Sequence, residues 1–156
     1  MKNQIFLASP KIFSDTKKQV LNSLKNNWIS SWGDYIAKFE NKIKKYTNSK
    51  NVVVCSSGTA ALHVSLVLSN VKKGDEVIVP TLTFIATINV VKYLDASPIF
   101  MDCDNFFNID VKKTIEFLNK ETFFKNNFTF NKKTGKKISA IIPVHVWGNA
   151  VKLKEL

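Results

Sequence analysis

Four short strand-like runs, spaced among stretches of helical periodicity, constrain this chain more than anything else in it. They are Val52-Val53-Val54-Cys55, Glu76-Val77-Ile78-Val79, Ser97-Pro98-Ile99-Phe100-Met101 and the apolar run Ile138 to Val144. Buried strands that alternate with helices predict an α/β fold, a mostly parallel sheet covered on both faces. Ser14-Asp15-Thr16 opens a helix with Val20, Leu21 and Leu24 on one side. Tyr35, Ile36, Phe39, Ile43 and Tyr46 recur at spacings of three and four, which predicts a second helix whose aromatic stripe packs in a core. Further helices are predicted from Thr59 to Leu68, from Phe84 to Tyr93, and from the N-cap Asp110 to about Asn119. Lys133-Thr134-Gly135-Lys136 marks a hairpin turn, with Phe128 and Phe130 on one face of its first arm, and another helix begins at Ala150.

The chain has 156 residues, enough for one domain with a real core. No apolar stretch is long enough to span a membrane, and Ile5-Phe6-Leu7-Ala8 is too short for a signal peptide, so a cytoplasmic location is expected. The formal charge of +11 comes from 23 basic residues, all of them Lys. Without the planar Arg fork, and with the lysines scattered in pairs, this charge reads as solvated surface and no nucleic-acid partner is expected. Cys55 and Cys103 form neither a disulfide framework nor a metal-ligand spacing, and no metal is expected.

Ser56-Ser57-Gly58-Thr59-Ala60-Ala61-Leu62 follows the first run and opens a helix. A helix N-terminus offers unpaired amides and partial positive charge, so this turn is a candidate anion site; an ordinary capped helix start is the plainer reading. Gly58 would let a ligand approach the backbone, and the Thr59 hydroxyl would cap the helix or contact a phosphate. Neither a Walker loop nor a G-x-G-x-x-G fingerprint is present. Pro80-Thr81-Leu82-Thr83-Phe84 lies just after a strand, where open α/β sheets bind ligands. Periodicity alone makes Phe84 a core residue; a ring offered to a flat heterocycle is the alternative. His145 reads as a structural or supporting residue, and Asp102 and Asp104 as loop caps.

The order of Gly33 with Phe39-Glu40, Ser57-Gly58-Thr59-Ala60-Ala61-Leu62, Gly74-Asp75-Glu76-Val77-Ile78-Val79-Pro80, Thr83-Phe84-Ile85-Ala86-Thr87, Pro98-Ile99-Phe100-Met101-Asp102 and Val144-His145-Val146-Trp147-Gly148 resembles the DegT/DnrJ/EryC1/StrS sugar aminotransferases. The insert Asn131 to Lys137, running into Ile141-Ile142-Pro143-Val144-His145, is most similar to the LegC-type branch. The resemblance extends from about Ser9 to Leu156 and implies the large domain of the type I aminotransferase fold. It also implies pyridoxal 5′-phosphate as cofactor, a nucleotide-linked keto sugar and an amino-acid donor such as glutamate as substrates, and a homodimer. The amides of Gly58, Thr59 and Ala60 would then hold the cofactor phosphate, and Phe84 would stack on its ring. Ser30, Ser31 and Gly33, in the Trp28–Gly33 loop, would lie on the substrate side.

In that family the lysine that carries the cofactor and the aspartate that pairs with its ring nitrogen follow the His-x-x-Gly segment. None of the lysines here matches that motif, so no catalytic residue is assigned. The expectation is an incomplete large domain over residues 1–156, inactive by itself. The alternatives are part of a related pyridoxal-phosphate sugar dehydratase, or a non-enzymatic basic binding or dimerisation module.

Overall fold

The computed structural model describes residues 9–30 and 33–156. The chain forms two compact units divided after Val54.

The first unit carries α1 (Ser14–Lys25) and α2 (Asp34–Thr47). Asn22 donates to the Tyr35 hydroxyl at 3.1 Å, and the Val54 amide donates to Glu40 Oε1 at 3.0 Å. Neither helix contains a buried residue. The expected core role of the α2 stripe therefore fails: Phe39 and Tyr46 are exposed, and Tyr35, Ile36 and Ile43 are only half-buried. Amphipathic spacing shows that a helix has an apolar side, and does not show that the side is covered. The strand expected at Val52–Cys55 is absent as well. A β-branched run becomes a strand only with a neighbour to pair with, and none pairs with it among the described residues.

The second unit holds a five-stranded sheet in the order β2-β1-β5-β4-β3. Its strands are β1 (Glu76–Pro80), β2 (Ser97–Met101), β3 (Thr122–Lys125), β4 (Phe128–Asn131) and β5 (Lys137–Ile141). β1 pairs in parallel with β2 and β5, while β4 runs antiparallel to both β3 and β5, so four of the five strands share one direction. The expected mostly parallel sheet is present. Its helices are α3 (Gly58–Leu68), α4 (Ile85–Tyr93) and α5 (Val111–Glu121).

Alternation along β1 sends side chains to two cores. Val77 and Val79 join Leu66, Val71, Val90, Val91, Ala96 and Ile142 on the face covered by α3 and α4. Ile78 joins Met101, Ile109, Val111 and Val151 on the face covered by α5. β1 is buried along its whole length, which explains its unbroken apolar run.

Two local expectations also change. Residues 120–137 contain a second hairpin, β3–β4, turned by Asn126 and Asn127 at φ 50 and 63. Two consecutive positive-φ residues make a turn that matches strand twist, and the Asn-Asn pair between Phe-Phe-Lys and Phe-Thr-Phe was its signal. No helix starts at Ala150. Val151 is drawn into the second core, its amide bonds to His145 Nδ1 at 3.0 Å, and the residues after it make only tight turns.

Candidate functional site

The strands set which end of the sheet can bind a ligand. β1 and β5 both leave the sheet at the same end, into residues 81–84 and 142–148. α4 starts at that end directly after β1. α3 leads into the beginning of β1 and packs beside α4, with His63 and Tyr93 edge-to-face at 5.9 Å. An eleven-residue helix of about 16 Å matches the length of the strand, so the N-terminus of α3 reaches the same end.

At that N-terminus Ser57, in extended conformation, caps α3: its Oγ accepts from the Ala60 amide at 3.1 Å, and its carbonyl accepts from the Ala61 amide at 3.0 Å. Two of the four first-turn amides are thereby satisfied within the chain. Those of Gly58 and Thr59 have no partner among the described residues. Of the three amides expected to face a phosphate, that of Ala60 is taken up by the cap, which leaves Gly58 and Thr59 with free donors. Ser57, which sequence reasoning passed over in favour of Thr59, provides the capping oxygen. The first turn holds no acidic side chain, and a Cβ placed on Gly58 would meet nothing within 4 Å. Open space, two free amides and the helix dipole fit a phosphate group.

Phe84 is the N-cap residue of α4 and is 87% exposed, so the core reading from periodicity fails. Its ring lines a cleft of about 590 Å³ with Leu82, Thr83, Ile85, Val144, His145, Val146 and Trp147. The Thr83 and Thr87 hydroxyls, 2.9 Å apart, tie this loop to the first turn of α4. Gly58, Thr59 and Ala60 lie at the same end of the sheet but outside this lining.

His145 Nδ1 accepts from the Val151 amide, so a neutral ring carries its proton on Nε2. Asp102 is engaged by the Lys113 ammonium, whose hydrogen bond holds the carboxyl below its usual range and the lysine above its own. Asp104 Oδ1 accepts from the amides of Phe106 and Asn108 at 2.8 and 3.0 Å. Both aspartates serve the loop, and no metal-ligating cluster exists among the described residues.

Of the substrate-side candidates in the first unit, Ser30 is exposed and Ser31 lies outside the described residues. Gly33 opens α2 at φ 150, where a Cβ would sit 2.9 Å from the Trp28 ring, so a residue without a side chain is required there.

A helix N-terminus and an aromatic-lined cleft thus stand at the carboxyl ends of parallel strands, the end at which open α/β sheets bind their ligands. The DegT/DnrJ/EryC1/StrS aminotransferase family profile matches residues 10–156, and the chain belongs to that family. It is 37% identical over 147 residues to a GDP-perosamine synthase of Escherichia coli O157:H7, covering 94% of this chain and 36% of that protein. Among solved structures, an aminotransferase from Psychrobacter cryohalolentis is similar at 27% identity with a TM-score of 0.78, over 97% of this chain and 35% of the other. A putative sugar aminotransferase of Streptococcus pneumoniae in its PMP form is similar at 25% identity and a TM-score of 0.75, over 98% of this chain and 35% of that one. The chain thus spans about a third of the length of these relatives. Pyridoxal phosphate is the cofactor of the family. No helix among the described residues is long and apolar enough to cross a membrane.

Proposed function

We propose that this chain is the phosphate-binding and ring-stacking part of a sugar aminotransferase, which moves an amino group from an amino acid such as glutamate to a nucleotide-linked keto sugar. The observation that carries this reading is the pair of unpartnered amides at Gly58 and Thr59, beside a Ser57 cap and with open space over Gly58. These amides would hold the cofactor phosphate, with the Thr59 hydroxyl as a third donor, and the exposed Phe84 ring would take one face of the pyridine. Bound pyridoxal phosphate supplies an electron sink for bonds broken at the amino-bearing carbon. His145, with Nδ1 occupied by a backbone amide, presents Nε2–H as a fixed donor in the same cleft. Residues 1–156 then form part of the cofactor-binding large domain of a dimeric enzyme. The lysine and aspartate roles are assigned to no residue of this chain, which spans about a third of the length of its relatives.

Titration with pyridoxamine 5′-phosphate tests this, because the amine form makes no imine with the lysines. Saturable binding that inorganic phosphate displaces, and that Gly58→Asp weakens at least tenfold, is the expected result. Equal binding of pyridoxamine with no phosphate would overturn the phosphate assignment.

A further inference from the structure

Among the described residues, eight other than glycine adopt the left-handed backbone region. Six are Asn or Asp, which tolerate it. The remaining two are Phe107 at φ 66 and Trp147 at φ 50, and they touch: their rings meet edge-to-face, centroids 5.1 Å apart. For bulky side chains this backbone is costly and persists only where its surroundings enforce it.

The surroundings do enforce it. Asn108, 2% exposed, accepts from the Val146 amide at 3.1 Å through Oδ1, which joins the residue after Phe107 to the residue before Trp147. Asp104 fastens the Phe107 side through the amides of Phe106 and Asn108, and through its carbonyl to the Phe107 amide at 3.0 Å. The Val151 amide on His145 Nδ1 closes the Trp147 side, and Val146 and Val151 are both buried. Core burial does not repay the strain, because Phe107 is 45% and Trp147 78% exposed. The hydrogen bonds hold a bare indole, braced from one edge, in the cleft that Phe84 also lines.

We propose that Trp147, braced by Phe107, is the wall that receives the C–H face of the pyranose ring of a nucleotide-linked sugar, with His145 Nε2–H as a donor to a ring substituent. The proposal rests on the assignment of Phe84 to the cofactor ring, which leaves Trp147 as the other large aromatic wall of the cleft. A pyranose turns one face of C–H bonds outward; these carry partial positive charge and suit the negative face of an indole. The cleft volume is in the range of small-ligand sites, and its mixture of aromatic walls with one oriented polar group is what such sites show.

The test is ¹⁹F NMR on the full chain labelled with 5-fluorotryptophan, with the Trp147 resonance assigned by its loss in Trp147→Phe. GDP-mannose is expected to shift that resonance, methyl mannoside to shift it at higher concentration, and GDP to leave it in place. Trp147→Ala should raise the dissociation constant for GDP-mannose at least tenfold, and Trp147→Phe less than threefold, while pyridoxamine 5′-phosphate affinity stays within twofold. Unmoved methyl resonances of Val77, Val79 and Val90, in the core of the second unit, show that each variant is folded. A Trp147 shift with GDP equal to that with GDP-mannose means that the base stacks there, and overturns the proposal. So does unchanged GDP-mannose affinity in folded Trp147→Ala, or no Trp147 response in a chain that binds pyridoxamine 5′-phosphate. A normal sugar response without pyridoxamine 5′-phosphate binding refutes the cofactor reading alone and supports the sugar wall.

Discussion

The two ends of the parallel strands are built on opposite principles. Where β1 and β5 begin, charged and polar groups are buried and paired. Asp75 accepts from the Ser139 hydroxyl and the Lys72 amide and faces Lys137 at 3.0 Å. Glu76, 4% exposed, accepts from Asn131 Nδ2 at 2.8 Å. Ser139 reaches Asp75 because β5 slips register by one residue between its pairings with Glu76 and Val77. No buried side-chain nitrogen or oxygen among the described residues lacks a partner. Where the same strands end, aromatic rings stand exposed, amides are unpaired and two aromatic residues hold unfavourable backbone. One end is satisfied within the chain; the other leaves amides and rings open to solvent, where a ligand can reach them. Substitutions at the first end should therefore move stability, and substitutions at the second should move binding.

The largest stability effect is expected for Asn131→Leu. It removes the donor from the buried Glu76 carboxyl and the Oδ1 acceptor of the Lys133 amide, and so loosens the β3–β4 hairpin from β1. Loss of a hydrogen bond to a buried acid should cost about 2–3 kcal/mol in urea unfolding, with pyridoxamine 5′-phosphate affinity unchanged in the folded fraction. Equal losses in stability and affinity would erase the division between the two ends.

Asp75→Asn comes next, at about 2 kcal/mol near pH 7. Burial works to raise the Asp75 carboxyl, but the Ser139 hydroxyl, the Lys72 amide and Lys137 outweigh it and hold it below the usual range. A depressed folded value means that the stabilisation is complete above the ordinary unfolded value of about 3.9 and disappears as pH falls through the lower folded value. The gap between wild type and variant should be constant above about pH 5 and close in strong acid. A gap that widened with acid would have the wrong sign for this ion pair.

Much of the second unit was legible in the sequence because its signals are local, although the β3–β4 hairpin was missed and the helix expected at Ala150 is absent. The β1 run, the Asp110 cap, which accepts from the Lys113 amide at 3.0 Å, and the Lys133–Lys136 turn all appear where spacing puts them. Val52–Cys55 and the α2 stripe have equally clear spacing and still failed, because pairing and covering depend on what lies opposite, which periodicity does not carry. The site divided in the same way. Gly58, Thr59 and Phe84 were singled out through motif order, and the structure puts Phe84 in a cleft with His145. The Phe107–Trp147 pair was missed, since two aromatics 40 positions apart signal nothing until the Asn108–Val146 bond joins their loops.

Ser57→Ala sharpens the comparison at the ligand end. Loss of the cap should cost about 1 kcal/mol. It also frees the Ala60 amide, so phosphate affinity should fall by no more than threefold, the third free donor offsetting the frayed first turn. A tenfold loss would mean that the Ser57 hydroxyl itself contacts the ligand, which its bond to Ala60 argues against.

Gly58→Ala should have the smallest effect on stability and the clearest meaning. A Cβ there meets nothing, and alanine at the first helical position is no worse than glycine, so stability should stay within about 0.5 kcal/mol or rise slightly. The added methyl projects into the space above the free amides. Binding of pyridoxamine 5′-phosphate should weaken about fivefold, a loss of about 1 kcal/mol. The two readings then move in opposite directions at a single atom, which a structural role for Gly58 cannot produce. If affinity holds while stability rises, the space over Gly58 is not where the phosphate sits, and the ligand end of the sheet must be assigned from the Phe84 cleft alone.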